Sequence, residues 1–170
     1  NIVANDNPTL FSALPAIDSA GVLTYTPAAD AFGTANLMVQ LSDNGGTANG
    51  GLDTSAVVPL VIDITSINDA PSFVVGPNIS VAEDSGAQNN VAWATGISAG
   101  PANESGQAVN FVLAPTGTDA TLTFTAAPSI DPVSGNLQFT AAANAYGVAN
   151  YNVSLVDNGG TANGGVDTFG

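Results

Sequence analysis

The chain has 170 residues, of which only 8% are charged, and every charged side chain is Asp or Glu, whereas about a quarter of a typical globular chain is charged with both signs. A net charge of −14 with no Lys, Arg or His excludes binding to nucleic-acid phosphates or anionic membrane surfaces and makes cations the expected partners. The absence of Cys excludes disulfides and thiolate metal sites, and no apolar run approaches the roughly 20 residues that span a bilayer, so we expect no membrane insertion.

Short stretches of alternating apolar and polar residues predict β-strands along the chain. The alternation is clearest at 37–41, 58–64 and 151–156, and clusters of Gly, Pro, Asn or Asp bound each stretch. Further strands are predicted at 79–82 and 90–97. Because no window has a helical apolar stripe, the sequence predicts an all-β, antiparallel β-sandwich fold.

A glycine-rich phrase follows the strand at 37–41 and is spelled almost identically later in the chain. DNGGTANGGLDT at 43–54 recurs as DNGGTANGGVDT at 157–168, and the similarity extends upstream of both phrases. The repeat length of about 114 residues is sufficient for a domain with its own core. We therefore expect residues 1–70 to be the C-terminal two-thirds of one repeat and residues 71–170 to be the next repeat without its last strand. Such an excerpt fits a longer tandem array, or an assembly in which a neighbouring chain donates the missing strand.

The chemistry of the repeated phrase allows two interpretations. It lacks the Lys of a phosphate-binding loop and does not follow the EF-hand pattern. It could be a long hairpin loop in which Gly and Asn adopt positive φ. Alternatively, the carboxylate of Asp43 or Asp157 and the exposed backbone carbonyls could form one wall of a site for a hard cation such as Ca²⁺.

A second polar segment, DITSINDAPSF at 63–73, connects the two copies. Asn68 and Asp69 place two oxygen-bearing side chains directly before Ala70 and Pro71, which stiffens the link. The segment is either an ordinary turn or a further part of a cation site.

Four segments of the chain resemble the motifs of cadherin repeats. INDAPSF at 67–73 resembles their linker, VAEDSG at 81–86 their early Glu motif, ANESGQAVNFVL at 102–113 their acidic segment, and YNVSLVDNGG at 151–160 their late strand and loop. The similarity is closer still to the cadherin-like and Ig-like tandem repeats of large bacterial surface proteins. This resemblance implies tandem Ig-like (cadherin-like) β-sandwich repeats at an extracellular or cell-surface location.

The resemblance also implies Ca²⁺ bound between successive repeats. The implied ligands at the junction are Asn68 and Asp69 of the linker, Glu104 of the acidic segment, Asp157 of the following repeat and Asp30 of the preceding repeat, whereas Glu83 and Asp43 would face neighbouring junctions. The first acidic position of the family segment is Ala102 here, and Asn144 replaces Asp30 in the second copy. Fewer charged ligands imply weak sites, in the ~10⁻⁴ to 10⁻³ M range of extracellular modules.

Catalytic chemistry is not expected. Without His, Cys, Lys or Arg, the usual nucleophilic and acid–base devices cannot form, and only a carboxylate pair would be available. We therefore predict a structural or adhesive extracellular repeat that forms a stiff rod or filament, with neighbouring repeats or identical chains as partners. The alternative is a calcium-dependent carbohydrate-binding module that uses exposed aromatic side chains such as Tyr25 and Tyr146.

Overall fold

The computed structural model describes all 170 residues, which form two compact units, Asn1–Ser66 and Ile67–Gly170. The division falls slightly before the boundary after residue 70 that the repeat predicts. Both units consist of β-strands and short turns of 3-10 helix, so the predicted all-β class is confirmed. None of the helical turns is long and apolar enough to cross a membrane.

The first unit has five strands in two antiparallel sheets. One sheet has the order β1-β4-β5, and the other pairs β2 with β3. β4 pairs with β5 without a break, from Gly33 opposite Ile64 to Val39 opposite Val58. The strands are β1 (Ile2–Asn5), β2 (Phe11–Ile17), β3 (Leu23–Pro27), β4 (Gly33–Val39) and β5 (Val58–Ile64).

Both sheets of the first unit contribute to one core. Ala35 and Leu37, two residues apart on β4, are fully buried because alternate side chains of a strand point to the same face. They pack with Ile62 of β5, with Leu10 of the 3-10 turn before β2, and with Phe11, the first residue of β2. Two sheets that share a core in this way are consistent with a β-sandwich.

The second unit has eight strands in three antiparallel sheets with the orders β10-β11-β7, β13-β12-β9 and β6-β8. β12 pairs with β9 along its whole length. The strands are β6 (Ser72–Val74), β7 (Ala87–Asn90), β8 (Thr95–Ser98), β9 (Val109–Thr118), β10 (Phe124–Ile130), β11 (Leu137–Ala141), β12 (Ala149–Asp157) and β13 (Thr168–Phe169).

The core of the second unit also draws on different sheets. Phe111 of β9, Ile130 of β10 and Leu155 of β12 are buried together. Phe73 packs edge-on against Phe111, with ring centroids 5.0 Å apart. Trp93 is half-buried against the same core, and its indole Nε1 donates a hydrogen bond of 2.8 Å to the carbonyl oxygen of Pro77.

Two predicted strands differ from the structure. The strand predicted at 90–97 is divided into β7 and β8 by a turn in which Ala92 has a φ of 49°. The segment 79–82 alternates in polarity but forms no strand, because no neighbouring backbone pairs with it. At the end of the second unit, the two residues of β13 pair with Leu155 and Val156.

Candidate cation site

The glycine-rich phrase forms the same loop in both units, and we call residues 43–54 the first loop and residues 157–168 the second loop. The second loop begins at the last residue of β12, where the Asp157 backbone N–H donates 2.9 Å to the Asp167 carbonyl oxygen. Its middle is a short 3-10 turn, Ala162–Gly164, in which Asn163 has a φ of 57°. Asn adopts this left-handed conformation more readily than most residues, which explains its place in the phrase.

The side chain of Asn68 lies inside the second loop. Its Nδ2 donates hydrogen bonds of 3.0 Å to Asp157 Oδ1 and 2.7 Å to the Val166 carbonyl oxygen. The Val166 backbone N–H in turn donates 3.0 Å to the Asn68 carbonyl oxygen. Three hydrogen bonds therefore fix Asn68 to both ends of the second loop.

Gly159 is required by this close approach. A Cβ atom at position 159 would overlap the amide of Asn68 and lie 2.6 Å from Nε2 of Gln107. The Gly159 backbone N–H also donates 2.8 Å to Asp157 Oδ1, which orients the carboxylate. Gly159 thus forms part of the turn, and its lack of a side chain leaves room for Asn68.

Gln107 completes the cluster and was not among the predicted site residues. Its Nε2 donates a hydrogen bond of 2.8 Å to Asn68 Oδ1. The only available signal was its position three residues after Glu104, in a segment already predicted to contribute ligands. Asn68 therefore connects Gln107 on one side with Asp157 on the other, and we call Asn68, Glu104, Gln107 and Asp157 the Asn68 cluster.

Glu104 lies at the end of the 3-10 turn Ala102–Glu104. The Asp69 backbone N–H donates to both of its carboxylate oxygens, at 3.0 and 3.3 Å. A Cβ atom at position 100 would overlap the same carboxylate, so Gly100 leaves room for it. The structure therefore joins Asn68 directly to Asp157, and it joins the Glu104 carboxylate to the backbone N–H of the next linker residue, Asp69, whose own side chain is exposed.

The electrostatics of the Asn68 cluster are unusual for a protein interior. Glu104 is 4% exposed and Asp157 is 7% exposed, yet the chain has no Lys, Arg or His to neutralise them. Burial of a carboxylate is costly unless the charge is compensated. Asp157 Oδ2 and Gln107 Oε1 are both buried and have no hydrogen-bond partner. The cluster thus presents negative charge and uncommitted oxygen atoms together.

Asp157 Oδ2 and Gln107 Oε1 are suitable ligands for a hard cation, but they are too few to complete its coordination. Carboxylate and amide oxygens are ligands that Ca²⁺ prefers, but Ca²⁺ takes six to eight of them. No group of three or more acidic side chains comes together in the chain. A cation bound by Asp157 and Gln107 would therefore take its other ligands from backbone carbonyls and water, which corresponds to weak binding.

The other predicted ligands lie elsewhere in their own units and are exposed. Asp30 lies in a turn and has a φ of 56°, and Asn144 at the matching position of the second copy has a φ of 58°. This left-handed conformation accounts for the choice of Asp or Asn at these positions. Asp43 accepts a 2.7 Å hydrogen bond from the Gly45 backbone N–H in the first loop, and Glu83 lines an apolar cavity of the second unit.

The chain matches no protein-family model, no curated protein and no solved structure.

Proposed function

We propose that the chain is a structural or adhesive repeat of an extracellular or cell-surface protein, built from tandem Ig-like units, and that the Asn68 cluster binds Ca²⁺. The observation that carries the proposal is the pair of buried carboxylates, Glu104 and Asp157, in a chain without a basic side chain. The unpartnered Asp157 Oδ2 and Gln107 Oε1 supply oxygen ligands. A bound cation would offset the cost of burying these charges.

Cation binding at this cluster would restrict the link between the units. β5 ends at Ile64, and only residues 65–67 separate it from Asn68. A cation that strengthens the attachment of Asn68 to the second loop leaves these few residues as the free part of the link. Repeated along an array, this restriction would produce the stiff rod or filament that the sequence predicts, with neighbouring repeats or identical chains as its partners.

The proposal is tested by calcium titration of the whole chain at constant ionic strength. Ionic strength must be fixed because any salt screens a net charge of −14. Trp93 is the only Trp and packs in the second unit, so its fluorescence follows unfolding of that unit. For a site with Kd ~10⁻³ M, 10 mM Ca²⁺ should stabilise the second unit by about 1–2 kcal/mol.

Matched variants locate the effect. Asp157→Asn keeps the shape of the side chain but removes its charge, and should abolish the calcium response. Asp43→Asn makes the same change in the first loop, where the carboxylate is exposed, and should leave the response of Trp93 unchanged. The cation site would be refuted if Ca²⁺ did not shift the unfolding transition reported by Trp93, or if it shifted this transition equally in both variants.

A calcium-dependent carbohydrate-binding module is the second hypothesis. The observation in its favour is Tyr146, which is 62% exposed and borders an apolar cavity. Tyr25 is a weaker candidate because its ring packs edge-on against Phe11 at 5.7 Å. Under this hypothesis, sugars added to the calcium-loaded protein would change Trp93 fluorescence, since Trp93 lines the same cavity.

A further inference from the structure

The turn between β10 and β11 contains the Asp131–Pro132 peptide bond and is organised by the Asp131 side chain. The backbone N–H groups of Val133 and Ser134 donate hydrogen bonds of 3.1 and 2.6 Å to Asp131 Oδ1, and the Ser134 hydroxyl donates 2.7 Å to the same atom. Asp followed by Pro is a favoured beginning for such a turn. All three hydrogen bonds go to Oδ1, so Oδ2 is left free on an exposed side chain.

The carbonyl group of the Asp131–Pro132 bond is also held in place. The Gly135 backbone N–H donates 2.8 Å to the Asp131 carbonyl oxygen. Gly135 is fixed in turn by the buried residue Ala94, whose backbone N–H donates 2.9 Å to the Gly135 carbonyl oxygen. A Cβ atom at position 135 would overlap the backbone of Ala94. The core of the second unit therefore holds an N–H donor against the carbonyl oxygen of this peptide bond.

These groups are arranged for attack by the Asp131 side chain on its own peptide bond. Attack by a carboxyl oxygen on the backbone carbonyl carbon of the same Asp closes a five-membered ring, and an intramolecular attack of this kind has a high effective concentration. Negative charge then develops on the carbonyl oxygen, where a fixed donor at about 2.7–3.1 Å is stabilising. The Gly135 N–H meets this requirement at 2.8 Å.

We propose that the second unit cleaves its own chain at the Asp131–Pro132 bond under acid conditions, with Asp131 as the nucleophile and water as the co-reactant. Oδ2 of the protonated carboxyl attacks the carbonyl carbon, and its proton passes to the Pro132 nitrogen. The carbon–nitrogen bond breaks, which leaves a cyclic anhydride at Asp131 and a secondary amine at Pro132. Water opens the anhydride to two carboxyl groups. The reaction needs no cation and does not rest on the proposed Ca²⁺ site.

The first unit contains a matched turn with a different peptide bond. The Gly21 backbone N–H donates 3.0 Å to the Asp18 carbonyl oxygen. The backbone N–H groups of Ala20 and Val22 donate 2.8 and 2.9 Å to Asp18 Oδ1. The bond that follows Asp18 leads to Ser19, whose secondary amide nitrogen is less basic than that of a proline and takes the proton less readily. The Asp18–Ser19 bond is therefore an internal control.

The pH range of the reaction follows from the groups around Asp131. The backbone N–H and hydroxyl of Ser134 hold the pKa of Asp131 below its ordinary value of 3.8, and the attacking form is the protonated one, so cleavage should accelerate as the pH falls through this lowered pKa. The residues that hydrogen-bond to the carboxyl, Val133 and Ser134, are uncharged. Acid removes the net charge of −14 without creating positive side chains, because the chain has no Lys, Arg or His, and charge repulsion therefore does not unfold it.

Incubation of the unmodified 170-residue chain at about pH 2.5 tests the proposal. Fragments 1–131 and 132–170 are quantified by mass spectrometry after denaturation, since β10–β11 and β9–β12 pairing would hold them together in the folded unit. Cleavage should be at least about tenfold faster than in a synthetic peptide of residues 126–141, because the peptide has no fixed donor to the carbonyl oxygen. The Asp18–Ser19 bond should stay intact in the same sample.

Two variants examine the role of the side chains. Asp131→Asn removes the carboxyl group and should not form the two fragments. Ser134→Ala removes one hydrogen bond to Oδ1 but keeps the backbone donors. It should raise the pKa of Asp131, so that cleavage begins at a higher pH than in the unmodified chain.

Three results would overturn the proposal. The first is cleavage of the folded chain at the same rate as the peptide or more slowly, which would mean an ordinary turn with an acid-labile bond. The second is equal cleavage at Asp18–Ser19. The third is loss of the folded Trp93 fluorescence before cleavage begins, because the folded turn would then not be the reacting species.

Discussion

The first and second loops have nearly the same sequence and the same backbone conformation, but only one of them encloses another side chain. Asn49 and Asn163 both have a φ of 57°. The backbone N–H groups of Asp43 and Asp157 both donate 2.9 Å to the carbonyl oxygen ten residues later. In both loops, the first Asp accepts a hydrogen bond from the second residue after it.

The loops differ in burial. Asp43 is exposed, whereas Asp157 is 7% exposed because Asn68 covers it. Leu52 is 86% exposed, and Val166 at the matching position is 48% exposed. The loop conformation is therefore determined by its own glycines and asparagines, and Asn68 binds to a loop that is already formed. Such preorganisation lowers the entropy that the contact must overcome.

Gly159→Ala is expected to have the largest effect on the stability of its unit. The added methyl group would overlap Asn68 and Gln107, whereas Gly45→Ala would place it 3.0 Å from Asp43 Oδ1, an exposed side chain that can move. Overpacking at a constrained site costs about 1–3 kcal/mol. We expect Gly159→Ala to destabilise the second unit by this amount in urea unfolding monitored by Trp93, and Gly45→Ala to cost the first unit about 0.5 kcal/mol or less.

Backbone amide signals from β4 can follow the first unit in the same urea titration. Equal destabilisation of the two units by the two alanine variants would contradict the conclusion that the loops differ because Asn68 packs into the second loop.

Removal of Asn68 should make the second loop resemble the first. Asn68→Ala leaves Gln107 Nε2 without its acceptor and removes the donor to Asp157 Oδ1, and each unsatisfied buried group costs about 1–3 kcal/mol. We expect the second unit to lose stability in that range, partly offset by entry of water. Asn152→Ala, an exposed change on β12, should alter stability by about 0.5 kcal/mol or less.

Hydrogen exchange separates loss of the contact from loss of the loop. The Gly165 backbone N–H bonds to the Ala162 carbonyl oxygen within the loop and should stay protected in Asn68→Ala. The Val166 backbone N–H bonds to Asn68 and should exchange faster. Melting of the whole loop would mean that its conformation depends on Asn68 after all.

The fold was largely predictable because polarity alternation reports which strand positions face a core. It worked best for β4 and β12, which are the middle strands of their sheets, and for β5, an edge strand that pairs with β4 along its whole length. It was wrong at 79–82, since a strand requires a partner as well as an alternating pattern, and no strand pairs with this segment. It was also wrong at 90–97, where a local turn at Ala92 overrides the strand pattern.

The candidate site was predictable only in part. The motif resemblance named Asn68 and Asp157, which hydrogen-bond to each other, and Glu104, whose carboxylate accepts from the Asp69 backbone N–H, although cation binding remains a prediction. It did not name Gln107, because Gln at that position has no special significance until Asn68 is placed beside it. Burial of Glu104 and Asp157 was likewise not visible in the sequence, since it arises from the docking of the linker onto two loops.

The smallest expected effect is the change in the stability of each unit at acid pH. It tests whether the two units unfold independently. The side-chain amide and then the backbone N–H of Asn36 hold the pKa of Asp6 below its ordinary value of 3.8 in the first unit. The backbone N–H and hydroxyl of Ser134 lower the pKa of Asp131 in the second unit. Because both folded-state pKa values are lowered, each contribution is complete above about pH 4 and is lost as the pH falls through the folded-state value.

Asp6→Asn should therefore destabilise the first unit slightly at pH 7, and the difference from the unmodified chain should shrink at about pH 2.5. The Trp93 transition, which reports the second unit, should be the same in both chains at both pH values. The measurement is urea unfolding at each pH, with β4 amide signals for the first unit and Trp93 fluorescence for the second. A Trp93 shift as large as the β4 shift would mean that the units unfold together, and the loop variants would then have to be compared within one cooperative transition.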